Sequence, residues 1–188
     1  MNKIEASYYP GLYETAVALT STHSSREILR NLVEKTAKTI GAKGCALIML
    51  SPDKKRLFHV TAYGLSEEHI KKGPILADRG ITDAMDGKVV ATLKATENGH
   101  IHSRQEAARE GIASILSVPM KLKDKVVGVI RVYTAEPYKF SDDDIYFANA
   151  VASLAAIALK NARFYTAIQQ SSQKVKKELH EITSLLNS

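Results

Sequence analysis

Two apolar patterns run along this chain: positions three and four apart, which predict helices, and alternating or continuous positions, which predict strands. The first helix is predicted from Tyr8 to Thr20, with Pro10 tolerable only in a first turn. A second helix is predicted to begin at a capping box of Ser24 and Glu27 and to continue to the next glycine. The chain therefore opens with two amphipathic helices.

The last apolar pattern predicts one very long helix, from Ser141 to Asn187, which would be ~70 Å long at ~1.5 Å per residue. Ser141 and Asp144 resemble a capping box with a shorter acid at its start. A domain of this size cannot cover such a helix, so we expect a domain of residues 8–165 and a helical stalk of residues 166–188. Five stalk positions keep a spacing that predicts a weak coiled-coil seam: Ile168, Val175, Leu179, Ile182 and Leu186.

Strand patterns occupy the middle of the chain. Cys45 to Leu50 is continuously apolar, as in a central strand covered on both faces. A later hairpin runs from Ala113 to Thr134, and its two apolar sets coincide if the loop is Lys123-Asp124-Lys125. Pro119 indicates an edge or a bulge in the first strand of that hairpin.

Alternation within these strands divides their side chains between two faces. One face is apolar and is expected to pack on helices: Phe58, Val60, Ala62, Leu116, Val118, Met120, Ile130 and Val132. The other face is more polar: Thr61, Tyr63, Ser117, Arg131 and Tyr133. Three short helices are predicted between Tyr63 and the Ala113–Thr134 hairpin, after Ser66, after Gly80 and at a capping box of Ser103 and Glu106.

Composition and charge narrow the class of protein. The 188 residues, 45% hydrophobic and 24% charged, can bury one substantial core. Residues 1–9 contain no apolar run for a signal peptide, and Ala148 to Leu159 is too short and too Ala-rich to span a bilayer, so we expect a cytoplasmic protein without a membrane partner. The net charge of +6 is scattered over many lysines and arginines, which does not favour a nucleic-acid partner.

The order of these elements resembles the GAF domain family of small-molecule sensors over about residues 12–165. The segments that carry the resemblance are the Ser24-capped helix, the strand Cys45 to Leu50, Arg79-Gly80-Ile81, the strand Ile115 to Met120, Val127-Gly128-Val129, and Phe140-Ser141 with Asp144. The resemblance implies an α+β fold: an antiparallel sheet with a helix bundle on one face and a pocket under short helices and loops on the other, plus the long C-terminal helix. It also implies a homodimer formed through the terminal helices.

In such a fold the polar face of the sheet would line the pocket, while the family's habit of roofing its pocket with a short helix adds Ile81 and Met85. The predicted ligand-binding residues are Tyr63, Ile81, Met85, Ile115, Ser117, Arg131 and Tyr133. Arg131 favours an uncharged or anionic ligand. The alternative is that these residues form only the half-solvated side of a sheet covered by loops. An ion-paired Arg131 with no cavity above Ser117 would argue against the site.

The residues do not favour the ligand chemistries known in the family. Tyr133-Thr134-Ala135-Glu136 stands where cyclic-nucleotide-binding members carry an Asn-Lys. Cys45 is the only cysteine and is predicted to be buried, which favours neither bilin attachment nor reduction of methionine sulfoxide. His100 and His102 alternate on a predicted short strand but lack further ligands for a metal or haem iron. We predict no catalytic or metal site, and the cofactor is unknown.

The predicted function is that of a cytoplasmic signal-transduction sensor. It would bind a small molecule of unknown identity without converting it, and signal through dimerised terminal helices. One alternative is a protein-interaction or dimerisation module with a degenerate pocket. Another is a small enzyme that uses the pocket, although no nucleophile with a base at motif spacing supports it.

Overall fold

The computed structural model describes residues 5–20, 25–51, 56–71, 75, 78–97 and 101–186. Its five antiparallel strands form one sheet in the order β2-β1-β5-β4-β3. The strands are β1 (Gly44–Leu50), β2 (Leu57–Tyr63), β3 (Val90–Thr92), β4 (Ser114–Leu122) and β5 (Lys125–Thr134). The helices are α1 (Glu5–Thr20), α2 (Ser25–Ile40), α3 (Glu67–Lys71), α4 (Arg79–Met85), α5 (Ile101–Glu110) and α6 (Asp142–Leu186). The predicted α+β architecture is confirmed.

One face of the sheet, hereafter the helix face, packs against α2 and the first part of α6, and α1 packs on these two helices. Its buried side chains from the three central strands are Cys45, Leu47, Met49, Leu116, Val118, Met120, Ile130 and Val132. The alternation predicted for β4 and β5 is therefore confirmed. Above them α6 contributes a run of small residues that lets it approach closely: Ala148, Val151, Ala152, Ala155 and Ala156.

The start of α6 is fastened to α1 by one buried carboxylate. The amide N–H of Asp144 donates to Ser141 Oγ at 3.1 Å, and that of Ser141 donates to Asp144 Oδ2 at 2.7 Å, which confirms the capping pair. The hydroxyls of Tyr8 and Tyr138 donate to the same carboxylate at 2.7 and 3.0 Å. Burial and the bond to Asp144 raise the pKa of Tyr8 well above its ordinary value, so this hydroxyl stays protonated and keeps donating.

The first helix begins earlier than the apolar pattern indicates. Because α1 starts at Glu5, Pro10 lies inside the helix, and the prediction that it occupies a first turn is wrong. The missing N–H removes one helical hydrogen bond. Tertiary contacts compensate, since the ring of Tyr8 stacks on Phe147 of α6 at 4.9 Å between centroids.

A bulge in β2 reverses part of the predicted alternation. Leu47 pairs with Thr61 but Ile48 pairs with His59, so Val60 is an extra residue. Before and at the bulge the prediction holds, since Val60 packs on the helix face. After the bulge, from Thr61 to Tyr63, every side chain lies on the face opposite to the predicted one, because the side-chain period of a strand is two.

Tyr63 therefore lies on the helix face, where Lys38 Nζ of α2 stands 5.8 Å from its ring centroid. Its predicted place on the polar face is wrong, and so is that of Thr61, which pairs with the helix-facing Leu47. Ala62 makes the opposite change and packs under the short helices.

The β4–β5 hairpin also differs from its prediction. Its loop is Lys123-Asp124 rather than three residues, and Lys123 adopts a φ of 54°, the left-handed region that such short turns use. The register then shifts between Met120 and Lys121, so that Val127 is an extra residue in β5. This bulge brings Gly128, Ile130 and Val132 to the same face as Leu116, Val118 and Met120, as the longer loop would have done. Val126 pairs with Lys121 and leaves that face, so its predicted place there is wrong. Pro119 lies beyond the end of β3, where β4 is an edge strand as predicted.

The middle of the chain contains a strand that the apolar pattern did not reveal, the three-residue β3, which pairs with β4. The predicted helices α3 and α4 are present. Ser103 lies inside α5 instead of capping it, and His102 is helical rather than on a strand, so both of those predictions are wrong. Ser24 and His100 lie outside the described residues.

The terminal helix α6 has two environments. Residues Asp142–Ala162 are long and apolar enough to cross a bilayer by length and composition alone, but here they serve as a core helix on the sheet. Leu159 is the last buried residue of α6 among those whose side chains are described. The remaining ~27 residues extend for ~40 Å at ~1.5 Å per residue. The seam residues beyond Ile168 have undescribed side chains, so the coiled coil stays a prediction.

Candidate functional site

The second face of the sheet, hereafter the Arg131 face, has a buried cation near its centre. Arg131 lies on β5 and is only 7% exposed. Its Nε donates to Ser117 Oγ of the neighbouring β4 at 3.2 Å, and its guanidinium carbon lies 5.7 Å from the ring centroid of Tyr133. Strand alternation brings these three side chains together because β4 and β5 pair Ser117 directly with Arg131.

The charge of Arg131 is balanced by Asp78, which precedes α4. Arg131 Nη2 lies 2.8 Å from Asp78 Oδ2, and both side chains are largely buried. The other carboxylate oxygen of Asp78 accepts the N–H of Ile81 at 2.8 Å and so caps α4. One carboxylate thus neutralises Arg131 and starts the helix that covers it.

Gly80 brings the backbone of α4 directly over the polar centre of the Arg131 face. A Cβ atom placed on Gly80 would lie 3.3 Å from Ser117 Oγ and 3.7 Å from Arg131 Nη2. The absence of a side chain therefore permits this close approach. The backbone of α4 therefore occupies the space above Ser117.

Beside the ion pair lies a cavity of about 40 Å³. Its apolar lining comes from Ile48, Ile75, Ile112 and Ile115, and its polar lining from His59, His69, Glu106, Asp78, Arg131 and Tyr133. A water needs ~10–15 Å³ of such volume, so the cavity has room for a few water molecules and not for a nucleotide or a bilin. Burial raises the pKa of Tyr133 to about 12, and the hydroxyl stays protonated.

The roof over this face is held by Glu110 at the end of α5. Its carboxylate accepts the N–H of Ser66 at 2.8 Å and the Ser66 hydroxyl at 2.6 Å. Partial burial raises the pKa of Glu110, but these two hydrogen bonds, with His69 and Lys43 nearby, more than offset that effect and leave the pKa below its ordinary value. The ionised form therefore ties α5 to the segment before α3.

Six of the seven predicted site residues meet on the Arg131 face: Ile81, Met85, Ile115, Ser117, Arg131 and Tyr133. Ile81 and Met85 lie on α4 and pack against Ile48 of β1, in the roofing position that the resemblance implied. Tyr63 is excluded by the β2 bulge. The role of these six residues in ligand binding stays a prediction.

The most important residue that sequence analysis missed is Asp78. An aspartate three residues before an apolar position is a helix N-cap signal, and it could have placed the N-cap of α4 two residues before Gly80. His59 lies on the Arg131 face, opposite the helices, as alternation along the strand predicts, and its ring centroid is 5.8 Å from that of His69. Pairing between Asp78 and Arg131 has no signal in the local sequence.

Comparison with known proteins gives the family. A family model described as the GAF domain matches residues 22–160, well over half of the chain. This chain belongs to the GAF domain family. GAF domains are sensory domains that bind small molecules.

Three solved structures share the GAF fold with this chain. The GAF domain of a phosphoenolpyruvate-protein phosphotransferase from Coxiella burnetii has a TM-score of 0.75 at 15% identity, over 88% of this chain and 99% of that one. A segment of a methyl-accepting chemotaxis protein has 0.63 at 18%, over 81% and 98%. A far-red absorbing protein in its dark state with bound biliverdin IXa has 0.67 at 9%, over 81% and 99%. At these identities the likeness shows the fold alone.

Proposed function

We propose that this chain is a cytoplasmic sensory domain that binds a small molecule on the Arg131 face without converting it, and reports binding through α6 paired with a second copy. The observation that carries this proposal is the continuity of β5 with α6. Arg131 and Tyr133 lie on β5, which ends at Thr134, and α6 begins at Asp142. A shift of the strand under the ligand is thereby passed to the longest helix of the molecule.

The described residues supply a reason to propose binding without chemistry. Cys45 is fully buried on the helix face, and burial raises the pKa of its thiol far above its ordinary value, so it is not a thiolate at neutral pH. Ser117 accepts a hydrogen bond from the Arg131 guanidinium, which cannot act as a base.

The surface of α6 supports pairing with a second copy. Four large side chains lie exposed along one face of α6: Tyr146, Ile157, Phe164 and Ile168, at 76%, 46%, 56% and 66%. Tyr146, Ile157 and Ile168 are eleven residues apart, which is three turns at ~3.67 residues per turn, and Leu179 continues the series. This exposed stripe and the predicted seam share one face of the helix, so the interface would begin inside the domain rather than at residue 166.

A large apolar groove lies beside that stripe, where α6 leaves the sheet. It has a volume of about 600 Å³, with a floor of Met49, Leu122, Val127, Leu159, Phe164 and Ala167, flanked by Lys123 and Lys160. By size it is a candidate ligand site. We favour its being covered in the dimer, because Phe164 belongs both to the groove and to the exposed stripe.

Native mass spectrometry of freshly purified protein tests ligand and oligomer together. We expect a dimer that carries a bound molecule lighter than a nucleotide. Mild unfolding and refolding should remove this additional mass. Truncation after Thr166 should leave a folded domain with weaker self-association in sedimentation. A full chain that is monomeric at high micromolar concentration would contradict the signalling part of the proposal.

Cysteine cross-linking tests the interface at single residues, since Cys45 is buried and gives little background. Ile168→Cys on the exposed stripe should form a disulfide-linked dimer under mild oxidation if the two helices are parallel. Gln173→Cys is the matched control, because it is exposed on α6 about 140° away at ~3.6 residues per turn. Equal cross-linking of both variants would count against this interface.

A second function, an interaction module whose pocket is closed for good, is favoured by a specific observation. Arg131 is ion-paired, and α4 fills the space above Ser117. These are the features that argue against an open site, and the cavity beside the ion pair has a volume of about 40 Å³. A dimer with no bound mass, in which no small molecule changes the melting temperature, would support this function instead.

A further inference from the structure

We propose that Asp78 is an internal substitute for the ligand, and that the protein binds a small carboxylic acid by exchanging it for the Asp78 carboxylate on Arg131. This inference rests on the proposed function and names the ligand class of the same site. Binding would release the start of α4, so that occupancy is reported as movement of that helix.

The donors around Asp78 suit a carboxylate. Arg131 presents Nη2 to Asp78 Oδ2 at 2.8 Å, while its Nε is held by Ser117 Oγ at 3.2 Å. The Ser117 hydroxyl accepts that bond and keeps its own hydrogen to donate. A carboxylate entering at this point would meet one guanidinium N–H and one hydroxyl, and a planar guanidinium matches a planar carboxylate better than a point charge does.

The cavity next to the ion pair has room for a short aliphatic group. Its volume is about 40 Å³, and its lining combines the apolar Ile48, Ile112 and Ile115 with the polar His59, His69 and Glu106. When the Asp78 side chain leaves, the space it occupied joins this cavity. Together they admit an acid of a few carbon atoms, whose charged end replaces Asp78 and whose apolar end lies among the isoleucines.

Exchange would be coupled to the roof because Asp78 makes two bonds. One oxygen binds Arg131 and the other accepts the N–H of Ile81. A ligand that binds Arg131 would leave Asp78 as the N-cap of α4 but without its ion pair to the sheet. The first turn of α4, which lies over Ser117 through Gly80, then loses its only ion pair to the sheet among the described residues.

The test uses a substitution that removes the competing charge and keeps the cap. Asp78→Asn retains a side-chain oxygen for Ile81, since asparagine is a good N-cap residue. The probes are acetate, propanoate and butanoate, with butanamide as the uncharged counterpart and inorganic phosphate as the other anion, each followed by thermal unfolding at constant ionic strength. Asp83→Asn is the matched control: it removes the same charge within α4, where Asp83 pairs with the exposed Arg79 at 3.6 Å.

We expect the acids to stabilise Asp78→Asn at concentrations at least tenfold lower than those needed to stabilise the unsubstituted chain or Asp83→Asn. Arg131→Gln should abolish the response, and butanamide should be without effect. If Asp78→Asn folds poorly, Asp78→Ser keeps a capping hydroxyl and serves in its place.

The exchange is overturned if butanamide stabilises Asp78→Asn as well as butanoate does, or if the acids stabilise Asp83→Asn as much as Asp78→Asn. It is also overturned if phosphate stabilises Asp78→Asn at lower concentrations than all three acids do. An uncharged co-purified ligand that still binds Arg131→Gln would also overturn it, while leaving the proposed sensor function standing. Failure of the sensor itself is a separate result, namely the dimer without any bound mass or small-molecule response.

Discussion

The two faces of this sheet are built from the same strands and are both buried along the middle of β4 and β5, yet they are stabilised in different ways. On the helix face, Leu116, Val118 and Ile130 are fully buried among apolar side chains from α2 and α6. On the Arg131 face, Ser117 and Arg131 are 1% and 7% exposed, and they are satisfied by each other and by Asp78. Burial alone therefore does not distinguish a core from a site. What differs is that the polar face depends on specific partners, one of which a ligand could replace.

The largest expected effect compares adjacent residues of β4. Val118→Asp places an unpaired carboxylate among apolar side chains, which costs several kcal/mol out of the ~5–15 kcal/mol of an ordinary domain, so we expect loss of folding. Ser117→Asp places its charge beside Arg131 and should be much milder. Circular dichroism and thermal melts measure both variants. Equal melting temperatures would show that the two faces do not differ in this way.

A second comparison uses one glycine from each face. A Cβ at Gly128 would lie 2.5 Å from the backbone carbonyl oxygen of Ile48, which cannot rotate away, so Gly128→Ala should cost about 3 kcal/mol. The nearest atoms to a Cβ at Gly80 belong to side chains: the oxygens of Asp78 and Ser117 at 3.3 Å and Arg131 Nη2 at 3.7 Å. Gly80→Ala should therefore cost well under half as much in urea unfolding. The reverse order would mean that α4 is packed as rigidly as the helix face.

The ion pair itself is tested by a double-mutant cycle. Arg131→Met leaves the Asp78 carboxylate without its partner in a largely buried position and should cost about 3 kcal/mol in the free energy of unfolding. Asp78→Asn combined with Arg131→Met should cost less than the sum of the two single changes, because no charge then lacks a partner. Additive costs would contradict direct coupling between these residues.

The smallest effect concerns the roof and depends on pH. Since the pKa of Glu110 is lowered on folding, its carboxylate stabilises the protein above about pH 4.5, and that contribution is lost as the pH falls through the lower folded pKa. Glu110→Gln should cost about 1 kcal/mol at pH 7, and the difference from the unsubstituted chain should disappear in acid. Glu97→Gln, an exposed residue paired with Lys94, is the control and should change little at either pH.

Local pattern accounts for most of the fold. The alternation of Leu116, Val118 and Met120 predicted the helix face of β4, and Ser141 with Asp144 predicted the start of α6. Such features depend on residues that are close together in the chain, and they can therefore be predicted from a single sequence. The GAF resemblance added the roofing position of Ile81 and Met85, which periodicity does not supply.

Tertiary structure decided what the pattern could not. The bulge at Val60 moved Tyr63 to the helix face, because pairing with β1 rather than alternation along β2 sets the register. The sequence by itself determined that a cation lies on the polar face of β5. Only the folded chain determined that Asp78 neutralises it, because the two residues belong to segments that meet only when α4 packs on the sheet, and a charge selects its partner by distance in space.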